Sequence, residues 1–154
     1  MVDTISPENV SGFVVGEGCF YVEFGKDGKY KSKVRVRPAF VIELAADDES
    51  VLQAIKKIIG CGTVYNLDFG RYQTYKDKKW KKHVRYKVSN ISDIGTKVVP
   101  FFEKYPLFGK KQQAFELFKS VVQKVLDKEH LNDEGLKNIS KIVNQLRVVN
   151  KRGV

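Results

Sequence analysis

Four segments of the chain alternate apolar and polar residues, which is the pattern typical of β-strands. They cover about residues 19–26, 30–44, 63–69 and 83–89. In the first segment Phe20, Val22 and Phe24 fall on one side, while Cys19 and Tyr21 fall on the other. Because side chains alternate across a strand, each segment has one apolar face that can pack on a core and a second face that points away from it.

Before, between and after these segments, apolar residues recur every three or four positions, which predicts amphipathic helices. Ser6, Asn90 and Asn132 are suitable N-caps for three of them, and Pro7 suits the first helical position. Gly60 is a typical stop for the helix that follows the second strand. Another helix is expected after the turn at residues 106–112.

Three sites are expected to bend or interrupt these elements. Asp27-Gly28 predicts a hairpin turn between the first two strands. Pro38 predicts a bend or bulge in the second strand, because proline cannot donate to the ladder. Pro100 predicts a kink or break in the helix after the fourth strand.

The order of elements indicates the fold class. One helix is followed by two strands, one helix, two strands and further helices. We predict an α+β fold in which helices cover one face of a four-stranded antiparallel sheet. The length of 154 residues and the absence of linker-like composition predict a single domain over residues 1–154.

Charge narrows the classes of function. The chain has 28 Lys and Arg against 18 Asp and Glu, a net charge of +10, which favours an anionic partner such as a nucleic acid. A basic ribosome-associated or merely soluble protein is the alternative. Two cysteines make no disulfide framework, and neither histidine has a partner at metal-binding spacing. No apolar run has membrane length and no signal peptide is seen, so we expect an intracellular protein without a membrane partner, in an organelle or a prokaryotic cytoplasm.

The positive charge is concentrated on the second and fourth strands and on the segment before the fourth. The cations that share the polar face of the second strand are Lys31, Lys33, Arg35 and Arg37, and those of the fourth are Arg85 and Lys87. Such neighbours repel unless an anion offsets them, which favours a nucleic-acid groove over a solvated surface. Residues 70–83 interleave Arg71, Lys79 and Lys81 with aromatic side chains, which suits an arm along a phosphate backbone; an exposed solubilising loop is the alternative.

The first helix carries the pattern V-S-G-F-V-V-G-E-G over residues 10–18. Gly12 and Gly16 lie on one side of the helix, where a second helix backbone can approach closely. Glu17 follows at the C-terminal end, where the helix dipole disfavours an anion. An accidental glycine pair and a solvated glutamate are the plain alternative.

These nine residues resemble the motif of the LAGLIDADG homing endonucleases, with Glu17 in place of the more usual aspartate and Val15 in place of the first acid. The resemblance extends to the order of elements and implies the αββαββα core with a saddle-shaped sheet. In that family two motif helices pack together and the last acid binds a divalent metal. For this chain the resemblance implies Glu17 and the Gly16 carbonyl as ligands of Mg²⁺ (or Mn²⁺), with Gly12, Val15 and Gly16 in the dimer interface.

The resemblance also implies a catalytic lysine and a DNA-binding surface. Pro106-Leu107-Phe108-Gly109-Lys110-Lys111 is similar to a segment that places a lysine near the scissile phosphate, with Lys110 preferred and Lys111 second. The DNA-binding face would include Tyr21, Glu23 and Tyr65 beside the strand cations and the 70–83 arm. The implied function is a homodimer that cuts both strands of a long, near-palindromic double-stranded DNA site.

Two other interpretations stay open. A maturase or another nucleic-acid-binding protein without cleavage would keep the fold and the basic face, and RNA would then be a partner. A basic structural protein would not require the nine-residue motif.

Overall fold

The computed structural model describes residues 5–29, 33–67 and 82–151. The helices are α1 (Pro7–Glu17), α2 (Glu49–Ile59), α3 (Ile91–Asp93), α4 (Val99–Lys104), α5 (Gly109–Leu126) and α6 (Asp133–Asn150). The strands are β1 (Gly18–Lys26), β2 (Val34–Ala45), β3 (Thr63–Leu67) and β4 (His83–Val88). None of the helices in these ranges is long and apolar enough to cross a membrane.

The four strands form one antiparallel sheet in the order β1-β2-β4-β3. β2 is therefore paired on both sides, with Phe20 opposite Phe40 on β1 and Phe40 opposite Val88 on β4. The helices pack against the face that carries these side chains. The predicted α+β class, the order of elements and the coverage of one face are all confirmed.

Aromatic side chains form the centre of the core between sheet and helices. The Phe20 ring lies 4.9 Å from that of Phe40 and between 5.1 and 5.5 Å from those of Phe102, Phe115 and Phe118, measured between ring centroids. All five side chains are fully buried. Each buried aromatic removes a large apolar area from water, so this cluster sets the position of α4 and α5 over the sheet.

Helix ends agree with the predicted capping residues. The side chains of Ser6, Asn90 and Asn132 each accept a backbone N–H three residues later. Gly60 ends α2 with a φ of 91°, the left-handed conformation that favours glycine. Three of the predicted helix starts and one predicted stop are thus confirmed.

The expected interruptions behave differently. β2 runs unbroken through Pro38, which pairs with Val22 in the regular register, so the predicted bulge is wrong. The β4 pairing reaches only to Phe40, which leaves Pro38 on a part of β2 that pairs with β1 alone. A proline is tolerated there because its missing N–H can face the unpaired side.

The first hairpin is longer than a two-residue turn. β1 ends at Lys26, which pairs with Val34, and the Asp27 N–H donates to the Lys33 carbonyl at 2.9 Å. Asp27 instead accepts the Lys29 N–H with its carboxylate, as this residue type does in many turns.

Near Pro100 the helix continues, but the five residues Ile94–Val98 before it form a π-helical turn between α3 and α4. The helix is therefore not broken at Pro100, and the irregularity that the structure shows is a widened turn before it.

Gly62, before β3, provides a test of this packing. Its φ is 94°, and a Cβ there would lie 2.5 Å from Tyr86 Cε2 and 3.0 Å from the Lys87 carbonyl oxygen. We expect Gly62→Ala to lower the free energy of unfolding by more than about 1 kcal/mol, since the conformation and the contact both oppose a side chain. Gly28→Ala is the control, because no atom lies within 4 Å of its added Cβ. Equal unfolding curves for the two variants in denaturant would contradict the packing at Gly62.

Candidate active site and nucleic-acid interface

α1 has one buried side and one open side. Val10, Ser11 and Val14 are buried against the rest of the protein. Gly12 and Gly16 lie on the other side, and a Cβ added at either would meet no atom within 4 Å. Val15 is half-buried beside them. The predicted glycine strip is therefore accessible in one chain, which leaves room for a second helix.

Two close contacts hold α1 and its passage into β1. The buried Ser11 hydroxyl donates to the Tyr105 carbonyl at 2.5 Å, which ties α1 to the end of α4. The Gly18 N–H donates to the Val14 carbonyl, and a Cβ on Gly18 would lie 2.6 Å from Val14 Cγ1. The third glycine of the motif thus permits the tight passage from helix to strand. As a result, the exposed Glu17 side chain stands directly at the start of β1.

The structure brings Lys111 rather than Lys110 to this end of the motif. The Lys111 ammonium donates to the Gly18 carbonyl, next to Glu17. Lys110 is exposed on the first turn of α5. Gly109 before it has a φ of 63°, so the turn into α5 depends on a residue without a side chain. Lys110 stays a prediction, and the geometry favours Lys111, the second choice from sequence.

Glu17 and the Gly16 carbonyl are oxygen ligands of the kind that Mg²⁺ prefers. The last carbonyls of a helix also lack partners within the helix, so they are suited to a cation. Within the described ranges, no group of three or more His, Cys, Asp or Glu could hold a metal ion. Glu17 and the Gly16 carbonyl stay predicted ligands of a hard cation, which also takes oxygen ligands from water and phosphate.

The face of the sheet opposite the core carries most of the predicted DNA-binding residues. In the β1–β2 register Glu23 lies opposite Arg37, and Arg35 lies opposite Gly25. On the other side of β2, Glu43 lies opposite Arg85, which in turn lies opposite Tyr65 on β3. We call this surface, with Cys19, Tyr21 and Lys87, the open face. Lys33 is exposed immediately before β2, whereas Lys31, Arg71, Lys79 and Lys81 lie outside the described residues.

Carboxylates hold several cations of the open face. Arg35 makes two hydrogen bonds to Asp27, from Nε at 3.1 Å and from Nη2 at 2.5 Å, and its Nη1 lies 3.4 Å from Glu23. The Lys87 ammonium lies 4.0 Å from the other Glu23 oxygen and 6.0 Å from the centre of the Tyr21 ring. The Lys29 N–H and Arg35 lower the pKa of the Asp27 carboxyl. The protein thus offsets part of its own charge, and repulsion between the strand cations does not by itself require an external anion.

Glu43 is a residue of the open face that the sequence interpretation missed. Its Oε1 accepts a hydrogen bond from Arg85 Nη2 at 2.8 Å, and its Oε2 lies 3.3 Å from His83 Nδ1. Burial opposes the charge of the Glu43 carboxylate, but the hydrogen bonds from Arg85 and His83 outweigh it and lower the pKa. Period-two alternation from Arg35 through Arg37 to Glu43 was the signal that would have placed it here.

A model of the LAGLIDADG endonuclease family matches residues 10–122 of the chain. The matched span is well over half of the 154 residues and holds the nine-residue motif, all four strands, Lys110 and Lys111. The chain belongs to this family. The family resemblance of the motif is thereby confirmed.

Relatives with known names agree with the family model. "Probable intron-encoded endonuclease 2" of Neurospora crassa is 30% identical over 135 residues, which are 88% of this chain and 28% of the relative. The chain thus spans little more than a quarter of that relative's length.

Solved LAGLIDADG structures share the fold. The homing endonuclease I-TnaI superposes with a TM-score of 0.77 at 32% identity, and the match covers 95% of this chain and 96% of that one. I-SmaMI, solved with an uncleaved DNA target in the presence of calcium ions, superposes with a TM-score of 0.81 at 27% identity. That match covers 98% of this chain and 47% of I-SmaMI. The chain is therefore similar to the whole of one structure and to about half of another.

Proposed function

We propose that this protein is a site-specific DNA endonuclease that cuts both strands of a long, near-palindromic duplex with the help of divalent cations. The observation that carries this proposal is the end of α1, where an uncovered glycine strip, the exposed Glu17 and the Lys111 ammonium meet. A glycine strip on a solvated helix serves no purpose in the monomer, because glycine weakens a helix relative to alanine. Its cost is offset if another helix packs there.

A second copy of the chain is the partner that fits this strip. The described residues contain one motif helix with an open glycine side, and a two-fold axis would place Gly12 and Gly16 against their own counterparts. The same axis would bring the two Glu17 side chains together, so that two carboxylates would be available to bind cations. The almost complete mutual coverage with I-TnaI supports a protomer of this size.

The residues at the end of α1 have different roles in phosphodiester hydrolysis. When bound, Mg²⁺ or Mn²⁺ supplies an activated water and stabilises charge on the leaving oxygen. Glu17 and the Gly16 carbonyl hold the cation, and each Glu17 would face its counterpart across the axis. Lys111, anchored on the Gly18 carbonyl in the free protein, would turn to the scissile phosphate and stabilise its developing negative charge.

The open face would bind the duplex on either side of the axis. A two-stranded or larger sheet fits the major groove, where each base pair presents a distinct pattern of donors and acceptors. Arg37, Arg85 and Lys87 are the described cations best placed across this surface, with Tyr21 and Tyr65 beside them. The calcium-containing I-SmaMI complex, whose DNA is uncleaved, supports the use of DNA and of a divalent ion by this fold.

The direct test uses the natural context of the gene. A duplex that joins the sequences on either side of the DNA element carrying the gene would be incubated with the protein and Mg²⁺. We expect one double-strand cut near the junction, and binding without cutting when Ca²⁺ replaces Mg²⁺. Binding without any cut in Mg²⁺ or Mn²⁺ would instead identify a nucleic-acid-binding protein that has lost cleavage.

Glu17→Gln tests the metal ligand. The change keeps the size of the side chain and removes its charge, so we expect DNA binding to persist while cleavage slows by on the order of a hundredfold or more. Exposed Glu103→Gln on α4 is the matched control for the loss of one charge and should cut normally. A Glu17→Gln protein that cuts at the wild-type rate in Mg²⁺ would exclude Glu17 as a ligand.

The two neighbouring lysines can be separated by substitution. We expect Lys111→Ala to slow single-turnover cleavage by about a hundredfold, the usual cost of losing one transition-state donor. Lys110→Ala, an identical change on the adjacent residue, should retain most of the rate. The opposite ranking would assign the role to Lys110 and show that the Gly18 contact does not mark the catalytic lysine.

Gly12→Leu tests the proposed dimer. A leucine side chain cannot fit between helices whose backbones touch, so we expect a monomer in sedimentation and no cleavage. The fold should persist because the position is open in one chain. Gly28→Leu introduces the same side chain in an exposed turn and should leave the dimer intact. A dimeric Gly12→Leu protein would remove the argument from the glycine strip.

A further inference from the structure

Glu43 is out of place on a surface that would face DNA. Its carboxylate lies on the open face near the end of β2, opposite Arg85 on β4. Phosphate groups repel such a charge, and a carboxylate in a DNA groove has to be offset by a contact that it makes or supports. The Glu43 carboxylate could have one of three roles: it reads a base directly, it weakens all DNA binding by repulsion, or it positions another residue.

The hydrogen bonds of Glu43 favour the third role. Both oxygens already have partners, with Oε1 on Arg85 and Oε2 beside His83. The contact with His83 is a hydrogen bond when Nδ1 of the imidazole carries the proton. A carboxylate whose two oxygens are engaged within the protein is poorly available to the amino group of a cytosine. The same contacts fix the position of the Arg85 side chain.

The surroundings of Arg85 leave a defined set of donors. Its Nε is buried and, among the described residues, has no hydrogen-bond partner. One Nη2 hydrogen is directed to Glu43, and Tyr65, opposite Arg85 on the adjacent strand, is a second side-chain hydrogen-bond partner of the guanidinium. The donors left after these two contacts, apart from the buried Nε, belong to the terminal Nη groups, at the end of a side chain that is one-third exposed. This is the end of a guanidinium that pairs with O6 and N7 of a guanine.

We propose that Glu43 is a specificity-determining positioning residue, which holds Arg85 so that its terminal donors read one guanine in the major groove. The inference rests on the proposed function and adds a role to a residue outside the active site. An unrestrained arginine can swing to a phosphate and bind any sequence. An arginine held by a carboxylate loses that freedom, so a wrong base leaves its donors unpaired and is rejected.

The experiment separates the effect of the charge of Glu43 from the effect of where its carboxylate lies. Wild type, Glu43→Gln and Glu43→Asp would be profiled for binding in Ca²⁺ on a library randomised around the preferred site, alongside Arg85→Ala and the double variant Glu43→Gln/Arg85→Ala. Glu129→Gln, which removes a glutamate paired with Lys124 at 3.7 Å in another part of the protein, is the charge control. Thermal unfolding of each variant checks that the measurements are made on folded protein.

We expect Glu43→Gln to lower discrimination at one base pair of each half-site, by roughly 5-fold to 150-fold, the range of one bidentate arginine–guanine contact. Glu43→Asp keeps the charge but shortens the side chain by one methylene, and it should lose discrimination at the same base pair. Arg85→Ala should affect that base pair too, and the double variant should be no worse there than Arg85→Ala alone.

Several results would overturn the inference. Uniformly tighter binding of all sequences by Glu43→Gln, with Glu43→Asp equal to wild type, would show repulsion alone. Loss of discrimination at a base pair that Arg85→Ala does not affect would show direct reading by Glu43. A wild-type protein that selects a sequence while Glu43→Gln keeps the same profile would refute this role and spare the endonuclease, whereas a wild type without any DNA preference would refute both.

Discussion

The architecture depends on α1, which must pack one side against the core and leave its glycine side exposed. Val10 and Val14 are fully buried, and Ser11 ties the helix to the Tyr105 carbonyl. On the opposite side of the helix, Gly12 and Gly16 have no neighbour within 4 Å of an added Cβ. The helix is thus rigidly attached through one side, which lets the other side serve as a surface with defined geometry. Because β1 begins directly after Glu17, this attachment also sets where the sheet lies relative to the carboxylate.

Most of the fold could be predicted from local patterns. Phe20, Val22, Phe40 and Ile42 show the alternation that separates the core face from the open face, and all four are buried. On β2 the alternation does not predict burial completely, because Ala39 and Val41 of the open face are buried as well. Ser6, Gly60 and Asn132 mark helix ends by well-understood backbone chemistry. Pro38 was misleading because its effect depends on whether a neighbouring strand reaches it. That is a property of the sheet as a whole, since β4 pairs with β2 only from Phe40 onwards.

The candidate site was only partly predictable for a similar reason. Glu17 and the glycines could be identified because they occupy fixed positions in a short motif. The choice between Lys110 and Lys111 depends on the phase of α5 relative to the end of α1, which neighbouring residues in the sequence do not reveal. Glu43 and Arg85 are far apart in the chain and meet through a register of two strands. A charge count of the basic strands could not show that carboxylates already hold Arg35 and Arg85.

The row of Tyr65, Arg85 and Glu43 has a consequence for how target preference can change over time. Its members sit on three different strands, yet they face one another directly across the sheet. A substitution at one of them alters the environment of the other two, so on the proposed role their effects on recognition are not expected to be additive. On that role, a lineage that acquires a new target would pass through combinations of substitutions in this row rather than independent single steps. Libraries that vary the row as one unit would therefore explore its recognition more completely than scans of one position at a time.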